Sequence, residues 1–383
     1  MRERSLLACA VTALLLSAAR PAAAGCEPSL RFIGMHSLAA NERVGEYVVG
    51  GLSGLDYDPA THEWYLMSDD RSEHGPARFY LAELNFDSQQ IADVRLLAAR
   101  RLGALGPETG EIIDAESIRV GVRKGELLVA GESDERLRVG PWVRRVGRGG
   151  RWLGDITLPA ALAQQTPPAT RGPRPNRSLE GITYGEAGNV LWLSMEAPLL
   201  QDGPEASVDV GADVRFTRLR LSDGTFAQYV YPTDATRAHG NGESSDNGVS
   251  EILALNEHEL LVLERSGTRL KDGHFRFHVR LYCSTWANAT DVAAVDSLAG
   301  RTFRKMTKHL LFDFDDLPGV HADNVEGMSW GPDLATGERS LVFVTDNNFF
   351  SDVPTQFLFF AAHLSPQNRA RAENVTVRGA PMK

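Results

Sequence analysis

The chain has 383 residues, with 50 acidic and 40 basic side chains and a net charge of −10. Its 36 glycines and 19 prolines and its weak helical periodicity favour one large all-β domain. Negative charge without a basic stripe argues against nucleic-acid binding, because that binding depends on Lys and Arg contacts to phosphates. The same charge suits the binding of hard cations.

The first 24 residues have the pattern of a secretory signal peptide. Arg2 and Arg4 precede the apolar run Leu6–Leu16, and Ala22–Ala24 offers a small-residue cleavage site. Cleavage there would leave 37 basic and 49 acidic side chains, a net charge of −12. No other uninterrupted apolar run approaches the ~20 residues that a membrane helix needs. We therefore expect no transmembrane segment and an exported protein, either periplasmic or secreted.

Two cysteines would remain after this cleavage, Cys26 and Cys283. An even number in an oxidising compartment predicts a disulfide bond between them. A rival interpretation is lipoprotein anchoring at Cys26, because Ala-Ala-Gly directly precedes it. The leucine that usually stands three residues before the lipidated cysteine is missing, so the disulfide is the simpler prediction.

A short apolar motif recurs five times along the chain. It reads LSGL at 52–55, AESI at 115–118, LEGI at 179–182, VSEI at 249–252 and VEGM at 325–328. The second positions of these motifs are separated by 63, 64, 70 and 76 residues. Each copy is followed by a second apolar strand that ends in an acidic residue, and most units show two further strands. Radial repetition of four-stranded units predicts a β-propeller.

The repeat count predicts a single propeller of five blades. A sixth blade is possible only inside an insertion, and none is long or apolar enough to favour it. The last unit has three strands of its own, and the segment LRFIGMHSL at 30–38 can supply its fourth strand and close the ring. The predicted organisation is a signal peptide at 1–24, a closing strand within 25–47, the propeller domain at 48–364 and a polar tail at 365–383.

Acidic residues recur at two positions of each unit. The first strand of a blade lines the central channel and the second runs back beside it, so these two positions should lie on one face of the disc. The second motif positions hold Ser53, Glu116, Glu180, Ser250 and Glu326. The acids that end the second strands are Asp69, Glu132, Glu196, Glu264 and Asp346. They follow the second motif position of their units by 16, 16, 16, 14 and 20 residues.

A single acid at a strand end is often a turn residue or part of a solvated edge. A ring of such acids repels itself unless something neutralises it. Carboxylate and amide oxygens suit Ca²⁺, which accepts about 6–8 oxygen ligands, and Asn324, Asn347 and Asn348 add oxygens at the same rim. We predict a Ca²⁺ site with ligands drawn from Asp69, Glu116, Glu132, Glu180, Glu196, Glu264, Asp323, Glu326 and Asp346.

Arginines are interleaved with these acids. They can pair with the carboxylates, or they can hold an anionic ester through bidentate hydrogen bonds. Cations and guanidinium groups around one pocket are what metal-assisted phosphoryl chemistry needs. The arginines are Arg71, Arg136, Arg177 and Arg265. The residues predicted to be catalytic are Glu116, Glu180, Arg71, Arg177 and Arg265.

Other catalytic patterns have little support. Neither Ser53 nor Ser250 has the glycine two residues later that the G-x-S-x-G elbow of α/β-hydrolases requires. The chain has no H-E-x-x-H metal motif, no C-x-x-C pair and no G-x-x-x-x-G-K-[ST] phosphate loop.

Together, the motifs GGLSGLDYDPATHEWYLMSDDR, DAESI, NRSLEGITY, GVSEILAL and DNVEGMSWGP resemble the bacterial phytase-like family, which is described by the esterase-like activity of phytase. The similarity spans about residues 48–364, and the family is placed among β-propellers. The resemblance implies a hydrolase that acts on phosphate esters with calcium ions held by acidic residues on one face. We expect a monomer with a small anionic ester as substrate.

The alternative function is a non-catalytic exported propeller that binds a ligand or an envelope protein through the same face. Ser53 and Ser250 favour it, since serine in place of an acid leaves two blades with fewer cation ligands.

Overall fold

The structure is a computed structural model, which describes residues 28–103, 114–132, 139–163, 169–237 and 244–366. The expected signal peptide, Cys26, Arg136 and residues 367–383 lie outside the described residues. Short 3₁₀-helices occur at Ala160–Leu162, Glu186–Gly188 and Phe314–Asp316. In the described ranges, no helix is long and apolar enough to cross a membrane.

Twenty-two strands, numbered in chain order, make up most of the described chain. Strand β1 spans Ser29–Ser37, and the short hairpin of β2 and β3 spans Arg43–Val44 and Tyr47–Val48. Blade one holds β4 to β7, at Leu52–Asp58, Glu63–Ser68, Arg78–Phe86 and Ile91–Arg101. Blade two holds β8 to β11, at Ala115–Val120, Glu126–Gly131, Trp142–Gly147 and Trp152–Ile156. Blade three holds β12 to β15, at Leu179–Gly185, Val190–Met195, Asp213–Arg220 and Phe226–Pro232.

Blade four holds β16 to β19, at Ser244–Asn256, Glu259–Arg269, Phe275–Thr285 and Thr307–Asp313. Blade five holds β20 to β22, at Asn324–Asp333, Arg339–Asp346 and Gln356–His363, together with β1. The five sheets are antiparallel, and the prediction of five four-stranded blades is confirmed. The described residues contain no sixth four-stranded sheet.

The N-terminal strand closes the ring, as predicted. Strand β1 pairs antiparallel with β22, from Ser29 opposite His363 to Ser37 opposite Gln356. The outer strand of the last blade therefore comes from the opposite end of the chain from its three partners. This closure covers an edge that would otherwise present unpaired backbone groups.

Hydrophobic clusters fill the wedges between neighbouring blades. In β5, Tyr65 and Met67 pack toward blade two, whereas Trp64 and Leu66 pack toward blade five. Alternate residues of a strand point to opposite faces, so a blade packed on both sides needs apolar residues at consecutive positions. This explains why the inner strands read as continuous apolar runs.

All five innermost strands contain a β-bulge at the same motif position. The pairing register shifts across this position in each blade, and the extra residues are Ser53, Glu116, Glu180, Ser250 and Glu326. A bulge leaves one residue out of the ladder and re-aims its side chain. The second motif position, identified from sequence spacing alone, is therefore a bulge that recurs around the ring.

Candidate functional site

Eight buried or half-buried carboxylates gather at the bulge end of the channel, on what we call the acidic face. They form three groups in which one carboxylate oxygen of each residue lies within 4.8 Å of the others. The groups are Asp69 with Glu326 and Asp346, Asp114 with Glu116 and Glu132, and Glu132 with Glu180 and Glu196. We call these eight residues the acidic cluster. It contains seven of the nine residues predicted as cation ligands.

Asp114 belongs to the cluster although it was not among the predicted ligands. Its backbone carbonyl accepts a hydrogen bond from the N–H of Glu132 at 2.9 Å, just as Gly51 accepts one from Asp69. It is thus the residue immediately before the first strand of its blade. Asn324 has the same place in blade five, opposite Asp346. The signal for Asp114 was present in the motif DAESI, where it directly precedes the repeat.

Glu264 does not join the cluster. It pairs with Val249 just before the bulge of blade four, so the residue equivalent to Glu196 is Arg265. The Glu264 carboxylate is fully buried and accepts hydrogen bonds from Tyr231 Oη of blade three at 2.7 Å and from Lys308 of blade four. The fifth member of the ring at this level is therefore a cation.

Asp323 also lies outside the three groups. It is half-buried, and its carboxylate accepts the backbone N–H of Asn324 at 3.1 Å. Basic side chains at the rim, including His321, favour its ionised form, and its charge also raises the pKa of Asp346 in the cluster. Two of the three asparagine oxygens expected at the rim accept hydrogen bonds within the chain: Asn347 Oδ1 accepts the backbone N–H groups of Gly51 and Phe349, and Asn324 Oδ1 accepts from Arg265 at 3.2 Å.

Burial raises the pKa values of seven of the eight clustered carboxyl groups, and neighbouring carboxylates raise most of them further. The pKa values of Asp69, Glu116, Glu132 and Glu180 lie well above the usual range. Burial raises the pKa of Glu196 and of Glu326 to about 7, although nearby arginines oppose the shift. Burial raises the pKa of Asp346 to about 6, against hydrogen bonds that favour its ionised form. The cluster therefore resists holding all of its charges at once.

Three arginines contact the cluster in the described chain. Arg265 bridges two blades, with Glu196 at 3.1 Å and Glu326 at 3.2 Å. Arg71 binds both oxygens of Asp114, at 2.9 and 2.7 Å. Arg177 lies 3.7 Å from Glu196 but also pairs with Glu205 and Asp246 at the rim. Five of the eight carboxylates form no ion pair with a cationic side chain of the described residues.

The donor set of these groups fits a hard cation. It consists entirely of Asp and Glu oxygens, with no His or Cys in any of the three groups. Hard oxygen ligands suit Ca²⁺, Mg²⁺ or Mn²⁺, whereas nitrogen and sulfur ligands select zinc or copper. The carboxylates without ion-pair partners and the chemistry of the ligands therefore agree with the predicted class of ion.

A buried ion pair lies on the axis, within the first strands. Arg119 pairs with Glu251 at 2.7 Å and donates hydrogen bonds to backbone carbonyls of three other blades, those of Leu55, Ile182 and Ile252. Both side chains are almost fully buried. Sequence reasoning missed this pair, because neither residue occupies an acidic position of the repeat. It ties four blades together at the axis.

One sequence of the form G-x-S-x-G does occur, at residues 327–331. Ser329 at its centre lies inside the extended strand β20 and not on a sharp turn between a strand and a helix. Its hydroxyl donates to Asp56 Oδ1 at 2.7 Å. Because the nucleophile elbow requires that exposed turn, Ser329 has the environment of a structural serine.

Cys283 is fully buried in the third strand of blade four, whose outer strand β19 adjoins β1. Its predicted partner, Cys26, lies outside the described residues. The disulfide therefore stays a prediction.

The family model for phytase-like proteins, described as esterase-like activity of phytase, matches residues 48–349. The chain belongs to this family. The match covers the acidic cluster and all three arginines that contact it. No curated protein matches the sequence of this phytase-like chain.

Solved structures similar to the phytase-like chain are distant. An endo-arabinase from Bacteroides thetaiotaomicron has 11% identity and a TM-score of 0.44, with 83% of this chain and 96% of that one covered. A mannose phosphorylase from Leishmania mexicana has 12% identity and a TM-score of 0.44, with coverage of 86% and 88%. An α-L-arabinofuranosidase from Podospora anserina has 8% identity and a TM-score of 0.38, with coverage of 82% and 92%. These similarities are too low to assign an activity.

Proposed function

We propose that this exported propeller hydrolyses small phosphate esters at the acidic cluster with the assistance of bound Ca²⁺. The observation that carries the proposal is the gathering of eight carboxylates beside the aligned bulges, five of them without an ion-pair partner among the described residues, in a family described by esterase-like activity. The substrate, the ion and export from the cytoplasm are parts of this proposal.

The charge of the cluster makes a cation a condition for substrate binding. An anionic ester would be repelled by a concave surface with several uncompensated carboxylates, and a low-dielectric rim strengthens the repulsion. Bound cations neutralise that charge, polarise a phosphoryl oxygen and lower the pKa of a coordinated water. Both the binding of the ester and its hydrolysis should therefore depend on the cation.

The chain supplies groups that orient an anion beside the cluster. Arg71 and Arg177 are partly exposed at the rim, so each can redirect donors from a carboxylate to a phosphate. Arg265 is more deeply placed and keeps Glu196 and Glu326 apart in fixed positions. We assign to Glu116 and Glu180, which project from neighbouring bulges, the acceptance of a proton from the attacking water.

A non-catalytic role through the same face is the second candidate. Blade four favours it, because this blade contributes Ser250 at its bulge and Arg265 at the next position, and no carboxylate at either. Blade one likewise has Ser53 at its bulge. A binding module needs only a fixed pattern of charges, so the lack of carboxylates in some blades would not impair it.

The test is hydrolysis of phytate and of a chromogenic phosphomonoester by the purified mature protein, with Ca²⁺ or with EDTA. We expect phosphate release with Ca²⁺ that EDTA abolishes and that excess Ca²⁺ restores. Release that is unchanged in EDTA would overturn the role of the metal. No release from either ester, despite a Ca²⁺-dependent rise in melting temperature, would favour the binding module.

Export and the disulfide are tested together on the periplasmic or secreted protein. We propose a Cys26–Cys283 bridge that fastens the closing strand to blade four, which would stabilise the ring by about 2–4 kcal/mol. Mass spectrometry should find no free thiol and an N-terminus near residue 25. A lipid on Cys26, or a free thiol at Cys283, would disprove the bridge.

A further inference from the structure

A cavity of about 680 Å³ lies between blades three and four on the face opposite the acidic cluster. Its walls come from the turn between β12 and β13, the turn between β16 and β17, and the outer parts of both blades. These turns are at the far ends of the strands that begin at the bulges. Because of this position, the cavity is separate from the acidic cluster. Its volume is within the range of ligand pockets, about 300–1,000 Å³.

Aromatic side chains form part of the wall. Tyr229 and Trp286 both line the cavity, and both are only partly buried. Behind them, the buried Trp192 packs against Trp286 with ring centroids 4.4 Å apart and against Tyr229 with centroids 5.9 Å apart. This support fixes the two exposed rings, so they offer rigid apolar surface at low entropic cost.

The same wall has both donors and acceptors without partners. Within the described chain, the Tyr229 hydroxyl, the Trp286 indole N–H and the Glu257 carboxylate make no hydrogen bond, and all three residues line the cavity. Arg218 and Glu186 form an ion pair on the same wall. The lining therefore combines fixed aromatic surface with a mixture of donors and acceptors.

We propose that this cavity is a carbohydrate-binding site, and that its ligand is a neutral oligosaccharide. A sugar ring has an apolar face of C–H groups that packs on an aromatic ring, and its edge carries hydroxyl groups that both donate and accept hydrogen bonds. The lining supplies the complement of each part. The site is independent of the proposed hydrolysis, since it shares no residue with the acidic cluster.

The mixed donors argue against an organic cation as the ligand. The aromatic rings and carboxylates of this cavity would favour an ammonium group. Its guanidinium group and indole N–H would not, because an ammonium group cannot accept a hydrogen bond. Arg218 would repel it. An anion is disfavoured in turn by Glu257, which has no cationic partner among the described residues.

The test is binding of the purified mature protein, in EDTA, to a microarray of plant, fungal and bacterial oligosaccharides. Calorimetric titration with the best-bound oligosaccharide follows. We expect Trp286→Ala to weaken binding about tenfold or more, because it removes the main stacking surface. Tyr229→Phe and Glu257→Gln, which keep the shape of the cavity, should each weaken it several-fold.

Trp152→Ala is the matched control, since Trp152 is exposed on blade two and does not line the cavity. It should bind like the wild type, and so should Glu180→Gln in the acidic cluster. Absence of binding to every oligosaccharide would overturn the proposal, as would full binding by all three cavity variants. Loss of binding in Glu180→Gln would assign the sugar to the acidic face instead. Saturable binding of tetramethylammonium that Glu257→Gln abolishes would assign the cavity to a cation.

Discussion

At the scale of single residues, repulsion among the clustered carboxylates lowers the stability of the apo protein and favours the binding of a cation. Glu180 shows this most simply, because its carboxylate lies close to Glu132 and Glu196 and burial with these neighbours raises its pKa. Glu180→Gln keeps the shape and removes one charge. The apo variant should melt at or above the wild-type temperature, because the remaining carboxylates repel each other less.

The same Glu180→Gln variant should respond less to Ca²⁺. The stabilisation by a ligand grows with the logarithm of its concentration over Kd, so a weaker site gives a smaller rise in melting temperature at each Ca²⁺ concentration. Differential scanning fluorimetry over a Ca²⁺ series measures it. Glu126→Gln, at the opposite end of a second strand, is the control and should respond like the wild type. An undiminished response in Glu180→Gln would remove this residue from the site.

Arg119 has the opposite role, since it stabilises the ring and takes no part in the cluster. Arg119→Met would leave Glu251 buried without its cation and would free three carbonyls of other blades. Breaking a buried ion pair costs about 3–5 kcal/mol, so the free energy of unfolding measured in urea should decrease by that amount. Arg119→Met combined with Glu251→Leu should recover part of the loss. A single variant as stable as the wild type would contradict the role of this pair.

At the scale of elements, the repeated bulge explains both what the sequence could predict and what it could not. Blades one to three have inner hairpins of similar length, so a constant offset of 16 residues led from the bulge to the right acid. Blade four has longer strands, Ser244–Asn256 and Glu259–Arg269, and the nearest acid was one residue short of the ring position. Spacing identifies the repeat, whereas only pairing identifies which residue faces the axis.

The Arg119–Glu251 pair was beyond sequence reasoning for a related reason. Its partners are distant along the chain, and its positions hold unrelated residues in the other blades, Asp56 and Gly181 among them. No periodic signal therefore marks it. The blade count, the closing strand and seven of the eight clustered acids followed from periodicity, because each depends on the order of the repeats and not on one contact.

Close packing of the bulged strands around the axis gives a prediction for glycine. A Cβ at Gly181, which follows the bulge of β12, would lie 2.7 Å from Glu251 Oε1 and 2.7 Å from the backbone N of Ile252. Gly181→Ala should destabilise the protein by about 1–3 kcal/mol through overpacking. Gly149→Ala, where nothing lies within 4 Å of the added carbon, is the matched control. Equal denaturation midpoints for the two variants would show that the axis has more room than described.

At the scale of the whole molecule, closure by β1 makes the ring a cooperative unit. Deletion of residues 27–40 removes β1 and exposes the edge of β22, which is fully paired in the intact chain. We expect the truncated protein to lose its cooperative melting transition and to aggregate, because an open ring has an unpaired edge and an uncovered blade. A sharp transition at the wild-type temperature would show that the ring does not depend on its closing strand.

The charge of the acidic cluster also makes the stability of the whole molecule depend on pH. Burial raises the pKa of Glu196, Glu326 and Asp346 to about 7, 7 and 6, against about 4 in an unfolded chain. Between these values the folded protein binds more protons than the unfolded one. Its free energy of unfolding in EDTA should therefore fall as the pH rises from about 4 through 7, and be lower at pH 8 than at pH 5, by about 1.4 kcal/mol per pH unit for each extra proton bound.

Ca²⁺ should cancel this fall, because it binds the ionised carboxylates that destabilise the apo protein. The Ca²⁺-induced rise in melting temperature is thus expected to be larger at pH 8 than at pH 5. Scanning calorimetry at both pH values, in EDTA and in Ca²⁺, measures all four states, and Glu180→Gln should show a shallower fall in EDTA than the wild type. Apo stability that rises from pH 5 to pH 8 would mean that the clustered carboxylates are compensated by charges within the chain, and the need for a cation would disappear.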